Sequence, residues 1–202
     1  MTIIIIVGLI IALFATAIAA SFLSSEFVVH QQGVVRADEK RSFPDIDSSS
    51  LTVYQQKIIV LLKQEYAAQE PGTKYSEGTS EPWCADFVSW IMREAGSPLE
   101  NPNSGSWRIP GVATLQAYYQ SIGAFHAYSS GYQPVLGDVV MYGSDGIFGQ
   151  HTNIVLKNDN GILTTIGGNE NGKIRVYTNE DMDGARIVGY GALVKYIAFR
   201  LL

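Results

Sequence analysis

Apolar residues follow two rhythms along this chain. Between Thr52 and Ile122 they recur every three or four positions, the spacing of one helix face. Thr52 can cap a first helix carrying Tyr54, Ile58, Leu61, Leu62 and Tyr66, and Pro71-Gly72 ends it. Ser80, Glu81 and Pro82 suit the cap and first turn of a second helix, whose stripe is Cys84, Phe87, Val88, Ile91, Met92 and Ala95 before Gly96. After a loop from Asn101 to Arg108, the residues Val112, Leu115, Tyr118, Tyr119 and Ile122 predict a shorter third helix. Beyond this the apolar residues gather in short runs between turn residues, predicting strands at Asp138–Tyr142, Thr152–Lys157, Ile162–Ile166, Lys173–Thr178 and Ile187–Leu193. Asn158-Asp159-Asn160-Gly161 is a strong hairpin turn. Helices first and an antiparallel sheet of about five strands afterwards predict an α+β domain without internal repeats.

The segment before Thr52 has a different character. Ile3 to Ala20 contain no charged residue. Eighteen helical residues span about 27 Å, close to the hydrocarbon thickness of a bilayer, so this segment is expected to meet a membrane. Ala17-Ile18-Ala19 offers a signal cleavage site, whereas the missing basic n-region and the length of the apolar run favour an uncleaved anchor. Residues 1–23 are therefore read as signal peptide or transmembrane anchor, residues 24–50 as a polar stem, and residues 51–202 as the folded domain. The implied location is extracytoplasmic, secreted or held at the outer face of the cytoplasmic membrane.

Composition narrows the choice of partner. The 202 residues carry a formal charge of −5, with no basic run longer than Lys40-Arg41, which argues against a surface that tracks nucleic-acid phosphates. No paired-cysteine zinc pattern or Gly-rich phosphate loop is present. Asn179, Asp181, Asp183 and Gly184 imitate the first half of a calcium loop, but the twelfth position is Tyr190 rather than a bidentate Glu, so the segment reads as a turn and neither metal nor cofactor is expected.

The single cysteine, Cys84, has no partner for an intramolecular disulfide. On an apolar helix face such a residue is usually core. Its place in the first turn changes that, because free backbone N–H groups and the helix dipole favour a thiolate there. Of three histidines, His30 lies in the stem and His126 in a loop rich in Gly, Ser and Tyr, which leaves His151 at the start of a strand to deprotonate the thiol and later protonate a leaving amine. A third group must fix the imidazole tautomer, and Asn169, in the turn Gly167-Gly168-Asn169 after the next strand, is the candidate. The N–H of Cys84 can donate to an oxyanion, with Tyr75 as a second donor. Trp83, Trp107 and Tyr132 are candidate walls of a substrate pocket, and Tyr75 joins Trp83 and Trp107 as a candidate substrate-binding residue.

Four blocks resemble the cysteine, histidine-dependent amidohydrolase/peptidase (CHAP) family: Pro82-Trp83-Cys84-Ala85-Asp86-Phe87-Val88-Ser89-Trp90, Gly137-Asp138-Val139-Val140, Gln150-His151-Thr152-Asn153-Ile154-Val155 and Ile166-Gly167-Gly168-Asn169. The resemblance spans residues 51 to 195. It implies a papain-like fold, a nucleophilic Cys84, a basic His151, an orienting Asn169, and cleavage of amide or peptide bonds in bacterial peptidoglycan. Two positions depart from the family pattern: Gly167 stands where many members carry Glu, and Gln150 precedes His151 where relatives often have Gly. A non-catalytic wall-binding module and a protease acting on exported proteins are the alternatives.

Overall fold

The computed structural model describes residues 42–178 and 186–193, all within a unit that spans residues 40–202. The apolar segment Ile3–Ala20, the stem up to Arg41 and the calcium-loop mimic beginning at Asn179 lie outside the described residues. Among the described residues no helix is long and apolar enough to cross a membrane.

Helix α1 (Val53–Ala68) starts in a reciprocal capping box: the Gln55 N–H donates to the Thr52 hydroxyl, and the Thr52 N–H donates to the Gln55 side chain. It stops at Gln69, a residue in the left-handed region, shortly before Pro71. Helix α2 (Cys84–Ala95) begins two residues after Pro82. Its N-cap is Trp83, which supplies no side-chain cap, so Ser80, Glu81 and Pro82 precede the helix instead of forming its first turn. Gly96 closes α2 at φ 94°, with its own N–H and that of Ser97 returning to the last turn. Helix α3 (Val112–Ser121) follows the long loop.

Six antiparallel strands form one sheet in the order β1-β6-β2-β3-β4-β5. They are β1 (Phe125–Ala127), β2 (Val139–Tyr142), β3 (His151–Asp159), β4 (Ile162–Glu170), β5 (Lys173–Thr178) and β6 (Ile187–Gly191). The α+β architecture matches the expectation, with one more strand than the five expected. The additional strand is β1, three residues in the Gly-, Ser- and Tyr-rich segment that shows no alternation. A second difference bears on the site. Gly167-Gly168-Asn169, expected as a turn, lies inside β4, and the chain reverses only at Asn171-Gly172.

The helices cover one face of the sheet. Ile58, Leu62, Phe87, Ile91 and Met92 interlock with Val139, Met141, Ile154, Leu156 and Ile166, all essentially inaccessible to water. Burial of each such side chain contributes about 1.5–3 kcal/mol. Phe43 and Ile46 also pack against this core, and the Phe43 ring lies 5.9 Å from that of Tyr66, so ordered packing precedes the first helix. The opposite face carries a second cluster, Val140, Tyr142, Val155, Leu163, Tyr177 and Tyr190, with Tyr132, Phe148 and Ile187 laid over it. One side of α2 thus docks on the middle of the sheet, which brings its N-terminus to the end where β3 begins.

Candidate active site

Cys84 is the first residue of α2, and with no side-chain cap the first-turn N–H groups remain available to an anion. Its thiol is buried to 5% exposure and lies within hydrogen-bonding reach of the His151 imidazole. His151 opens β3, paired across the ladder with Tyr142 on β2, and is itself 5% exposed. The two residues that local chemistry singled out are therefore brought together, 67 positions apart in the sequence.

The third partner is not the expected one. His151 Nε2 is hydrogen-bonded at 2.8 Å to Oε1 of Glu170, a residue that the sequence reading passed over, and not to Asn169. The correction has a geometric cause. Ile154 pairs with Ile166, so counting three residues outward along an unbroken ladder sets His151 opposite Asn169. Between Gly167 and Glu170 the ladder with β5 slips by one residue, a bulge at which Asn169 adopts φ 63°. One extra residue inverts the alternation of the strand, so Glu170 takes the face that Asn169 would have held. The signal available in sequence was weak: an acid beside an Asn, the residue type after Gly most tolerant of positive φ.

The same geometry explains Gly167. A Cβ there would fall 1.8 Å from Oδ1 of Asn153, which sits on β3 two residues beyond His151. No side chain fits at 167, and the carboxylate arrives from position 170 instead. Gly168 is equally constrained, because a Cβ would press on the Trp83 ring and on Phe87 at the start of α2. Two consecutive glycines let the helix terminus and the β3 side chains close on β4 from its two faces.

Electrostatics at His151 favour the imidazolium. Burial pulls its proton affinity down, but the hydrogen bonds to Cys84 and Glu170 and the nearby Glu170 charge outweigh burial, and the pKa rises from 6.5 to about 10. With Nε2 engaged by Glu170, Nδ1 is the nitrogen left for the thiol. The Tyr142 and Phe148 rings stand 6.2 Å and 5.5 Å from the imidazole.

On the other flank of Cys84 a second ionic cluster ties the long loop to α2. The Arg108 guanidinium contacts Asp86 Oδ1 at 2.7 Å through Nε, and Glu81 through Nη2. Asp86 is fully buried; burial, with the Glu77 charge adding to it, pushes its carboxyl up to about 7, and the Arg108 guanidinium is the cation that lies against it.

The proposed pocket walls fare differently. Tyr75 is fully buried, its hydroxyl donating to Glu65 at 2.7 Å, and Trp83 stacks on it at 5.2 Å. Both belong to the core and offer a substrate little or no surface, and the Tyr75 hydroxyl is already committed to Glu65. Trp107 is half-buried, with the Arg93 guanidinium 3.9 Å from its ring centre. Tyr132 donates to Asp138, which also accepts from the N–H groups of Val135 and Leu193. The Gly137-Asp138 block therefore fastens the start of the interior strand β2 to the chain that leaves β6.

A family model described as the CHAP domain matches residues 75–169. No curated protein matches the chain. The matched span starts ahead of Cys84, ends at Asn169, and leaves Glu170 one residue beyond it.

Proposed function

We propose, on the match of residues 75–169 to the CHAP-domain model, that the chain is a peptidoglycan hydrolase, an endopeptidase or an N-acetylmuramoyl-L-alanine amidase, working through a Cys84 thiol ester. The observation that carries this reading is the line from the uncapped start of α2 through Cys84 and His151 to Glu170. In the resting site the proton sits on the His151 imidazole, and the Cys84 sulfur lies beside it at an uncapped helix start, a setting suited to nucleophilic attack.

The steps follow from these positions. The Cys84 sulfur adds to the scissile carbonyl carbon, and the oxyanion is met by the backbone N–H of Cys84. His151 delivers its proton to the amide nitrogen, the C–N bond breaks, and the amine leaves with the acyl group held on sulfur. The neutral imidazole then takes a proton from water, whose oxygen displaces the thiolate and restores the starting pair. Glu170 holds Nε2–H throughout, fixing the tautomer and supporting the imidazolium.

The substrate assignment rests on the family, and the apolar Ile3–Ala20 segment would bring the domain to the cell envelope where that substrate lies. The test is release of soluble fragments from purified peptidoglycan by residues 42–202, with products identified by mass spectrometry and casein digested in parallel. Release that Cys84→Ala abolishes supports the proposal. Release undiminished in that variant removes Cys84 from the mechanism, and wall binding without release by the parent favours a non-catalytic module. Digestion of casein but not peptidoglycan would indicate a protease for exported proteins.

A further inference from the structure

We propose that Phe148 is a positioning residue for the base: carried on the Gly143–Gln150 loop, its ring covers His151 on the face of the sheet away from the helices and keeps water from the His151–Glu170 pair. This inference rests on the catalytic reading of Cys84 and His151 above.

The loop joins β2 to β3 and contains Gly143, Gly146 and Gly149, with N–H to carbonyl bonds from Gly146 to Gly143 and from Gly149 to Gly146. Its two large apolar residues are treated in opposite ways. Ile147 is 59% exposed, while Phe148 turns inward and is partly buried. The Phe148 ring meets three others: Tyr142 of β2 at 5.2 Å, His151 of β3 at 5.5 Å and Tyr177 of β5 at 5.3 Å. A ring held by three strands is placed by the fold and not by the loop alone. The titratable groups facing His151 are Cys84 from α2, Glu170 from β4 and Tyr142 from β2, and the covering loop adds only the Phe148 ring. The acidic residue of that loop, Asp145, is exposed and directed to Arg186.

An apolar cover has a defined effect on such a pair. The attraction between imidazolium and carboxylate weakens as the local dielectric rises, and so does the desolvation penalty. At His151 attraction outweighs the penalty, so admitting water returns the imidazole toward its unperturbed 6.5.

The experiment is an NMR titration of the His151 ring, identified among three histidines by its loss in His151→Ala. In Phe148→Ala the midpoint is expected to fall by about one pH unit, a ten-fold loss of proton affinity. On peptidoglycan, kcat should fall while KM stays near the parental value. Phe148→Leu, which keeps an apolar cover, should restore most of both. An unmoved midpoint in Phe148→Ala overturns the proposal. Should that variant not fold, Phe148→Gln carries the same expectation and the same refutation. A midpoint that moves in a protein with no peptidoglycan activity would sink the proposed substrate and leave the positioning role standing.

Discussion

Two ionic clusters, each around a buried acid, flank the start of α2, and they are built from similar acids to opposite ends. On one side Glu170 meets His151, and on the other Asp86 and Glu81 meet Arg108. Both stand where the first turn of the helix favours negative charge. The difference lies in the cation. An imidazole gives up its proton within reach of physiological pH, whereas a guanidinium never does. On the proposed mechanism the first cluster passes a proton to a leaving group, and the second only holds. On that reading the same electrostatic arrangement serves chemistry once, and once fastens the Asn101–Arg108 loop to the helix that carries Cys84.

Changes to the two cations should separate these roles most sharply. His151→Ala is expected to lower kcat by about 10²–10⁴ while the fold survives, measured as fragment release beside circular dichroism. Parental stability also carries a His151 signature. Its folded pKa lies above 6.5, so the stabilisation is complete below about pH 6.5 and drains away as pH rises through about 10. Urea melts of His151→Ala should lack that alkaline decline. Arg108→Ala should do the reverse, destabilising by about 3–5 kcal/mol because it strands a buried carboxylate, with kcat per folded molecule retained. Asp86 then takes up a proton to avoid the bare charge, so the loss should be larger at alkaline than at acid pH. Equal losses across that range would show that Asp86 is not the group left uncompensated.

The contrast between the clusters was only half legible in the sequence. The pairing of Cys84 with His151 was legible because the chemistry that singled them out is tied to local signals, a helix start and a strand start, that survive without knowledge of the fold. The helices likewise follow from their periodicity. The His151–Glu170 contact was not legible, because it depends on a one-residue slip in pairing with β5, and alternation read along β4 alone points to Asn169. Tyr75 and Trp83 were misplaced for a related reason: aromatic residues next to a nucleophile suit a substrate wall, and only packing shows that Glu65 and Gly168 claim them. Arg108 is fixed by tertiary structure in the same way, since nothing near Asp86 in sequence names its countercharge.

Within the His151 cluster, Glu170→Gln comes next in size. The amide still fits but loses the charge-assisted bond, worth about 1.5–3 kcal/mol, so kcat should fall by about 10- to 100-fold. The imidazole should titrate closer to 6.5, which a ring NMR titration would detect. If kcat and the titration both stay parental, Glu170 is a bystander and the search for an orienting group reopens.

The smallest effect is expected at Asn169, and its sign separates a side-chain role from a backbone one. Asn169 sits at φ 63°, the conformation that lets the bulge carry Glu170 to His151. Glycine enters that region at no steric cost, so Asn169→Gly should keep both the His151 titration and fragment release near parental. A β-branched residue resists it by about 1–2 kcal/mol, so Asn169→Val should pull the strand toward regular alternation and loosen the Glu170 contact, lowering both readouts. A large loss in Asn169→Gly would instead assign work to the amide itself, and the comparison between Asn169 and Glu170 would have to be redrawn as a four-residue site.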